Sequence, residues 1–279
     1  MKKKFRMSLC GTSFILPSLI GVLLFFIVPF GINIIYSFSR SVASFEFVGF
    51  KNYRELFASD AFILSFRNTS FFMLAGIMLL LVLANAMALF FDYAVKKRLM
   101  FAGLALMGSV VPMIIPTGSV LVFIRKLFGE NGVFDSMAWM TTSAAFLMLL
   151  LIFLWKNAGY CMLVIFTGIH TIPKEVFEAA KLDGANGWQI YVHMIFPQIK
   201  SFLSFSVIMG IIGIFKTYRE SYLLLGEYPH ESVYMLQNFL NNNFYSINYQ
   251  RLTTASIVFT IFLSVLLAGI FIGGNRHEA

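Results

Sequence analysis

Long apolar runs alternate with short polar ones along this chain, at a spacing that a membrane would set. No Asp, Glu, Lys, Arg or His occurs from Gly11 to Ser39, Asn68 to Phe91, Leu99 to Ile124, Ser136 to Trp155 or Leu252 to Asn275. Each interval reaches the roughly 20 residues that a helix needs to cross the hydrocarbon core. A sixth, Ser201 to Phe215, is shorter and continues past Lys216 into Ser221–Leu225. The pattern predicts an all-α polytopic bundle of six transmembrane helices, one transmembrane domain over residues 1–279. Strands of an outer-membrane barrel would alternate apolar and polar at every second residue, and these runs do not. Pro17 and Pro29 fall in the first run and Pro112 and Pro116 in the third. Kinks there are tolerated where neighbouring helices satisfy the freed carbonyls.

Composition agrees. The chain is 59% hydrophobic and 12% charged, with a mean hydropathy of +0.81. Soluble domains carry about twice that charge, so too little polar surface exists to coat a soluble fold. The net charge of +8 would suit a nucleic-acid binder only if the basic residues were massed on one face, and they sit between the spans instead. Eleven (Lys2, Lys3, Lys4, Arg6, Lys96, Lys97, Arg98, Lys174, Lys181, Lys200 and Arg276) fall on one side of the predicted membrane. Six (Arg40, Lys51, Arg54, Arg125, Lys126 and Arg251) fall on the other. By the positive-inside rule both termini and the loop after the fourth span are expected in the cytoplasm.

Other chemistries find little support. Two cysteines make no disulfide framework, and neither lies near a His with metal-ligand spacing. No apolar run precedes Cys10, Cys161 reads as a packing residue, and the first apolar segment reads as a retained span without a cleavage pattern. His170, His193, His230 and His277 are too scattered for a metal site. No G-x-x-x-x-G-K-[ST] loop is present to cradle phosphates, so ATP-driven work would need the nucleotide on another chain.

The polar interruptions carry the information. FGENGVFDSM, between the third and fourth spans, reads as an external turn centred on Asn131–Gly132. In the last external loop Val233, Leu236 and Leu240 recur at helical spacing, which predicts a short surface helix before the turn-like NNNFYSINYQ.

The longest interruption, EAAKLDGANGWQIYVHMIFPQIK, runs from Glu178 to Lys200. Thr171 and Pro173 start a helix ahead of it, and Gly184 stops that helix. Asn186 heads a second segment with Gln189 at capping-box spacing. There Trp188, Tyr191, Val192 and Ile195 form an amphipathic stripe, and Pro197 closes the segment. Ala179 and Ala180 leave a shallow surface for another backbone, and Glu178 and Asp183 offer acceptors to a partner's amides or basic side chains. From the residues alone, a hairpin resting on the headgroups and a docking surface both stay open.

Glu178-Ala179-Ala180, with Gly184 six residues after the Glu and Pro197 nineteen after it, resembles the EAA loop of binding-protein-dependent ABC importer permeases. Met194 and Phe196 stand where that pattern has Ile and Leu. The resemblance spans almost the whole chain and is nearest to the carbohydrate permeases of the maltose-type first-permease class. Phe50-Lys-Asn-Tyr53 with Leu56, Arg67-Asn-Thr69 and Phe215-Lys-Thr-Tyr218 are similar to segments of that class. Gly226-Glu-Tyr-Pro229 departs from its usual Thr-Gly-Gly-Pro. The resemblance implies a MetI-like permease fold whose loop, residues 170–198, is a cytoplasmic coupling helix. Through Glu178, Ala179, Ala180, Asp183, Gly184 and Pro197 it would dock on an ATPase subunit. It further implies a heterodimer with a second permease, two ATPase subunits holding ATP and Mg, an extracellular binding protein, and no cofactor in this chain.

Polar residues inside the spans complete the reading. Lys156 follows nine consecutive apolar residues, Phe146 to Leu154. A central Lys costs about 2.5–3.5 kcal/mol on the insertion scale, so it requires a partner or a wet cavity. Phe153, Asn157 and Tyr160 share a helix face. The resemblance implies that they, with Gly210, Ile214 and Thr217, line a sugar site in mid-membrane. An aromatic with amide and hydroxyl partners suits a sugar, while interhelical hydrogen bonding explains Asn157 and Thr217 equally well. Lys216 and Glu220, at i, i+4, read as a simple ion pair near the outer interface. The expected function is import of a carbohydrate. A permease for a polyol phosphate, amino acid or peptide, or an ion-coupled secondary transporter, are the alternatives.

Overall fold

The structure, a computed structural model, describes residues 9–41, 45–128 and 137–275. Lys2, Lys3, Lys4, Arg6, the Asn131–Gly132 turn, Arg276 and His277 lie outside the described residues. Among those described the chain is almost entirely helical, and extended pairing is confined to an isolated bridge between Ser39 and Phe47. The helices in order are α1 (Leu9–Val22), α2 (Val28–Ser37), α3 (Lys51–Phe57), α4 (Asp60–Lys96), α5 (Ala102–Gly108), α6 (Val111–Ile114) and α7 (Thr117–Phe128). There follow α8 (Ala144–His170), α9 (Lys174–Leu182), α10 (Gly187–Ile190), α11 (Phe196–Gln198), α12 (Lys200–Leu225), α13 (Leu236–Tyr245) and α14 (Tyr249–Asn275).

Five stretches of described residues are long and apolar enough to cross a membrane: Phe14–Ser37, Asp60–Lys96, Ala144–His170, Lys200–Leu225 and Tyr249–Ile272. A sixth is broken, Ala102–Ile114 and Thr117–Phe128 meeting at 95°. The chain is a multi-pass membrane protein. One span runs past its charge-free interval: Ser136–Trp155 stops at Lys156, and α8 carries that Lys inside the helix, where the sequence reading puts it, and runs on to His170. The Lys is inside the helix because a carboxylate on α12 compensates it.

Prolines shape two of the spans and the segment ahead of α12. Pro29 and Pro197 each lie four residues after a carbonyl that their missing N–H leaves free. In both cases that carbonyl sits in a π-helical turn, Leu23–Ile27 before Pro29 and Tyr191–Ile195 before Pro197. Widening the helix relieves the clash of the ring with the preceding turn. Pro116 breaks the third span outright, since the residue before a proline is pushed out of the α region and Ile115 is extended at ψ 124°.

The chain forms two compact units, Met1–Ile63 with Leu240–Leu263 and Leu64–Phe239 with Ser264–Ala279. In the first, Asn52 Nδ2 donates to the carbonyls of Ser37 and Ser39, each at 2.9 Å, and the Tyr53 hydroxyl lies 2.8 Å from Ser37 Oγ. The first turn of α3 thereby caps the end of α2. In the second, α8 packs along α12 and against α6, burying Leu149, Phe153, Met162 and Ile165 completely. Lipid tails are as apolar as these side chains, so close packing over small residues holds such helices together. At Gly159 a Cβ would lie 1.7 Å from the Ser109 carbonyl oxygen, so only glycine admits that backbone.

The loop after α12 is tied back to α4. Asn68 Nδ2 donates to the Glu231 and Tyr234 carbonyls at 2.6 and 3.1 Å, and the Leu236 amide donates to Thr69 Oγ1 at 2.8 Å. The helix predicted from Val233, Leu236 and Leu240 starts later and runs further. Val233 ends a 3₁₀ turn, and α13 takes in Asn241, Asn242 and Asn243, residues that read as a turn in the sequence. Asn238 explains the start, because its Oδ1 accepts from the Met235 amide at 3.1 Å and caps the first turn.

Candidate functional site

The longest polar interruption folds into a corner. Pro173 is the N-cap of α9, and its fixed φ suits a helix start. Beyond the last turn Gly184 takes φ +78°, a left-handed conformation that costs glycine little. The Ala185 amide then donates to the Ala180 carbonyl at 3.0 Å and the Gly184 amide to the Lys181 carbonyl at 3.1 Å, the paired bonds of a Schellman C-cap. Two residues on, the next helix starts with a complete capping box. Asn186 Oδ1 accepts from the Gln189 amide and Gln189 Oε1 from the Asn186 amide, both at 2.9 Å. Back-to-back caps hold the turn rigidly, and satisfied amides let it stand in water.

The corner presents an outer face. Glu178, Ala179, Lys181, Asp183 and Gly184 are exposed, and Leu182 and Trp188 are 89% and 73% exposed. Ala180, by contrast, is buried at 1%, so of the two predicted small residues one faces outward and one packs inward. Lys96 Nζ lies 4.9 Å from the Phe177 ring while pairing with Asp92 at 2.7 Å, which joins α9 to the end of α4. The Tyr191 hydroxyl donates to Asn85 Oδ1 at 3.2 Å, and burial pushes its pKa up. Pro197 does not close the segment as predicted: the π turn accommodates it and helical backbone continues through α11.

A second polar cluster lies between the spans. Lys156 Nζ donates to Glu220 Oε1 at 2.7 Å, and Thr117 Oγ1 donates to the same oxygen at 2.9 Å. Three helices meet at one carboxylate. Thr117 opens α7, whose N-terminal end favours a negative charge. Glu220 is 3% exposed, and its Oε2 has no hydrogen-bond partner among the described residues. A cavity of about 90 Å³ adjoins it, lined by Lys156, Asn157, Gly213, Lys216, Thr217 and Met113. The predicted Lys216–Glu220 pair is not formed. Glu220 turns inward to Lys156, which supplies the partner that Lys required, while Lys216 is exposed at the cavity edge.

Of the six residues expected along a substrate path, Asn157 and Thr217 line this cavity. Their bonds are intrahelical rather than interhelical: Asn157 Nδ2 donates to the Phe153 carbonyl at 2.8 Å and Thr217 Oγ1 to the Gly213 carbonyl at 3.0 Å. Phe153 and Ile214 are buried at 0% and 1% exposure, Phe153 against Phe72 with ring centroids 6.0 Å apart. Gly210 packs against Leu80, and Tyr160 is half-buried on α8. Thr117 has no local signal in the sequence because it lies 103 residues from Glu220. No cluster of metal-ligating side chains occurs among the described residues.

Comparison with known proteins bears on the whole chain. Residues 87–274 match the family model described as the binding-protein-dependent transport system inner membrane component. The arabinooligosaccharides transport system permease protein AraP of Bacillus subtilis (strain 168) is 28% identical, over 76% of this chain and 70% of its own. The trehalose/maltose transport system permease protein MalF of Thermococcus litoralis is 25% identical, over 99% and 98%. A solved bacterial ABC transporter involved in import of the acidic polysaccharide alginate superposes with a TM-score of 0.80 at 19% identity. That match covers 95% of this chain and 94% of the other, and the likeness is one of fold.

Proposed function

Because the chain belongs to the family of binding-protein-dependent transport system inner membrane components, we propose that it is the permease subunit of an ATP-driven carbohydrate importer. It is a transport subunit, not itself an enzyme. The observation that carries the coupling half of this reading is the capped corner at Asp183–Asn186, rigid in its backbone and exposed on Glu178, Ala179, Asp183 and Gly184. A partner ATPase would grip that corner, and movement of α9 would reach α4 through Phe177 and Lys96. Two ATPase subunits would hold the ATP and Mg. A second, related permease would complete the pathway, and an extracellular binding protein would deliver the cargo. The excess of basic residues beside the corner favours the cytoplasmic side for it and for both termini.

The carbohydrate half is supported by relatives whose names record arabinooligosaccharides and trehalose or maltose as cargo. The pathway residues of this reading are Phe153, Asn157, Tyr160, Gly210, Ile214 and Thr217. The test is reconstitution of the complete importer in proteoliposomes. Glu178→Lys and Gly184→Pro are expected to leave membrane levels unchanged while abolishing sugar uptake and its stimulation of ATP hydrolysis. Normal uptake by both variants would sink the coupling role. Uptake that survives ATP depletion and collapses with an ionophore would point to an ion-coupled carrier instead.

A further inference from the structure

We propose that Glu220, Lys156 and Lys216 form a subsite that reads one hydroxyl of the transported sugar, an inference that rests on the carbohydrate reading above. Glu220 lines the cavity; its Oε1 is fully used by Lys156 and Thr117, whereas Oε2 is buried with no partner among the described residues. A buried carboxylate oxygen left without a donor is costly, and here one arrives with the ligand. Lys216 is the complementary group: it lines the same cavity, is exposed, and makes no ion pair among the described residues. Well inside a spanning helix, such an ammonium faces a bundle interior or a water-filled path rather than lipid.

Size and polarity select the ligand group. Pockets for whole small molecules run to about 300–1,000 Å³, so a cavity of about 90 Å³ admits one substituent. Ammoniums only donate and a carboxylate only accepts, while a hydroxyl does both. A carboxylate substituent would be set against Glu220, and an ammonium against both lysines. A hydroxyl donates to Oε2 and accepts from an ammonium. The Thr217 hydroxyl already donates to a backbone carbonyl and the Asn157 amide has one N–H so engaged, which leaves Lys156, Lys216 and the second Asn157 N–H as the side-chain donors at the cavity.

The experiment uses the complete importer in proteoliposomes with maltose, trehalose and arabinotriose, each alongside its monodeoxy analogues. The wild type should import at least one parent sugar and reject one monodeoxy analogue by about tenfold or more in uptake kcat/KM. Lys216→Met, at an exposed side chain that holds no ion pair, should raise KM for the parent by about tenfold and erase that discrimination. Glu220→Gln should do the same, with membrane levels checked by immunoblot. Unchanged KM and discrimination in Lys216→Met would overturn the subsite. So would equal uptake of every monodeoxy analogue by the wild type, with the carbohydrate reading left standing. A wild type that imports none of the sugars would remove both.

Discussion

Two polar regions interrupt the apolar helices of this protein, and they do so in opposite ways. At the corner between α9 and α10, backbone groups are satisfied locally and the side chains of Glu178, Lys181 and Asp183 face outward. At the junction of α7, α8 and α12, the side chains satisfy one another across 64 and 103 residues of sequence, and the carboxylate at their centre is buried. The first arrangement keeps its shape whatever its charges do. The second exists only through its charges. The proposed grip of an ATPase subunit suits the former.

Substitutions that attack each kind of support should separate the two regions. The largest loss is expected from Lys156→Met, which strands the Glu220 carboxylate inside the bundle. Breaking one side of a buried pair costs about 3–5 kcal/mol, read as a fall in membrane level and in thermal stability in detergent. Lys156→Met with Glu220→Gln should recover most of that loss, because no uncompensated charge remains; a double variant as unstable as the single would show that the pair matters for packing alone. Asn186→Ala removes half of the capping box and should cost about 1 kcal/mol, a loss measurable by denaturant or heat without loss of assembly. The smallest stability effect belongs to Glu178→Ala. Its side chain is exposed, so the change should stay within about 0.5 kcal/mol while uptake per ATP hydrolysed falls sharply. A large stability change at Glu178 would mean that the corner leans on its charges after all.

The same contrast explains what the sequence makes legible. Helix starts, the glycine stop and the capping box at Asn186 and Gln189 depend on residues within a few positions of one another, and all appear in the structure where the pattern puts them. The spans follow from charge-free length carried across an isolated charge: Lys156 ends an apolar interval but not a helix. The partner of Glu220 is hidden for a related reason. Spacing of four residues suggests Lys216, and spacing says nothing about α8, from which Lys156 reaches the carboxylate first. The signal is present in a different form. A Lys deep in an apolar run demands an acid, and Glu220 lies within the span Lys200–Leu225. Helical periodicity over Val233–Leu240 fails at its edges, since the Asn238 cap and not the apolar stripe decides where α13 begins.

The π turn before Pro29 carries one residue more than an α-helix of the same length would. Each residue of an α-helix turns the chain by about 100°, so Leu23–Ile27 sets the phase of everything in α2. Ser37 meets Asn52 and Tyr53 only at that phase. For a gene, this makes the first span a place where losing a single codon is felt as a rotation rather than a shortening. Point substitutions along its lipid-facing surface leave Ser37 pointing at its partners, and a one-residue deletion in Leu23–Ile27 swings it away.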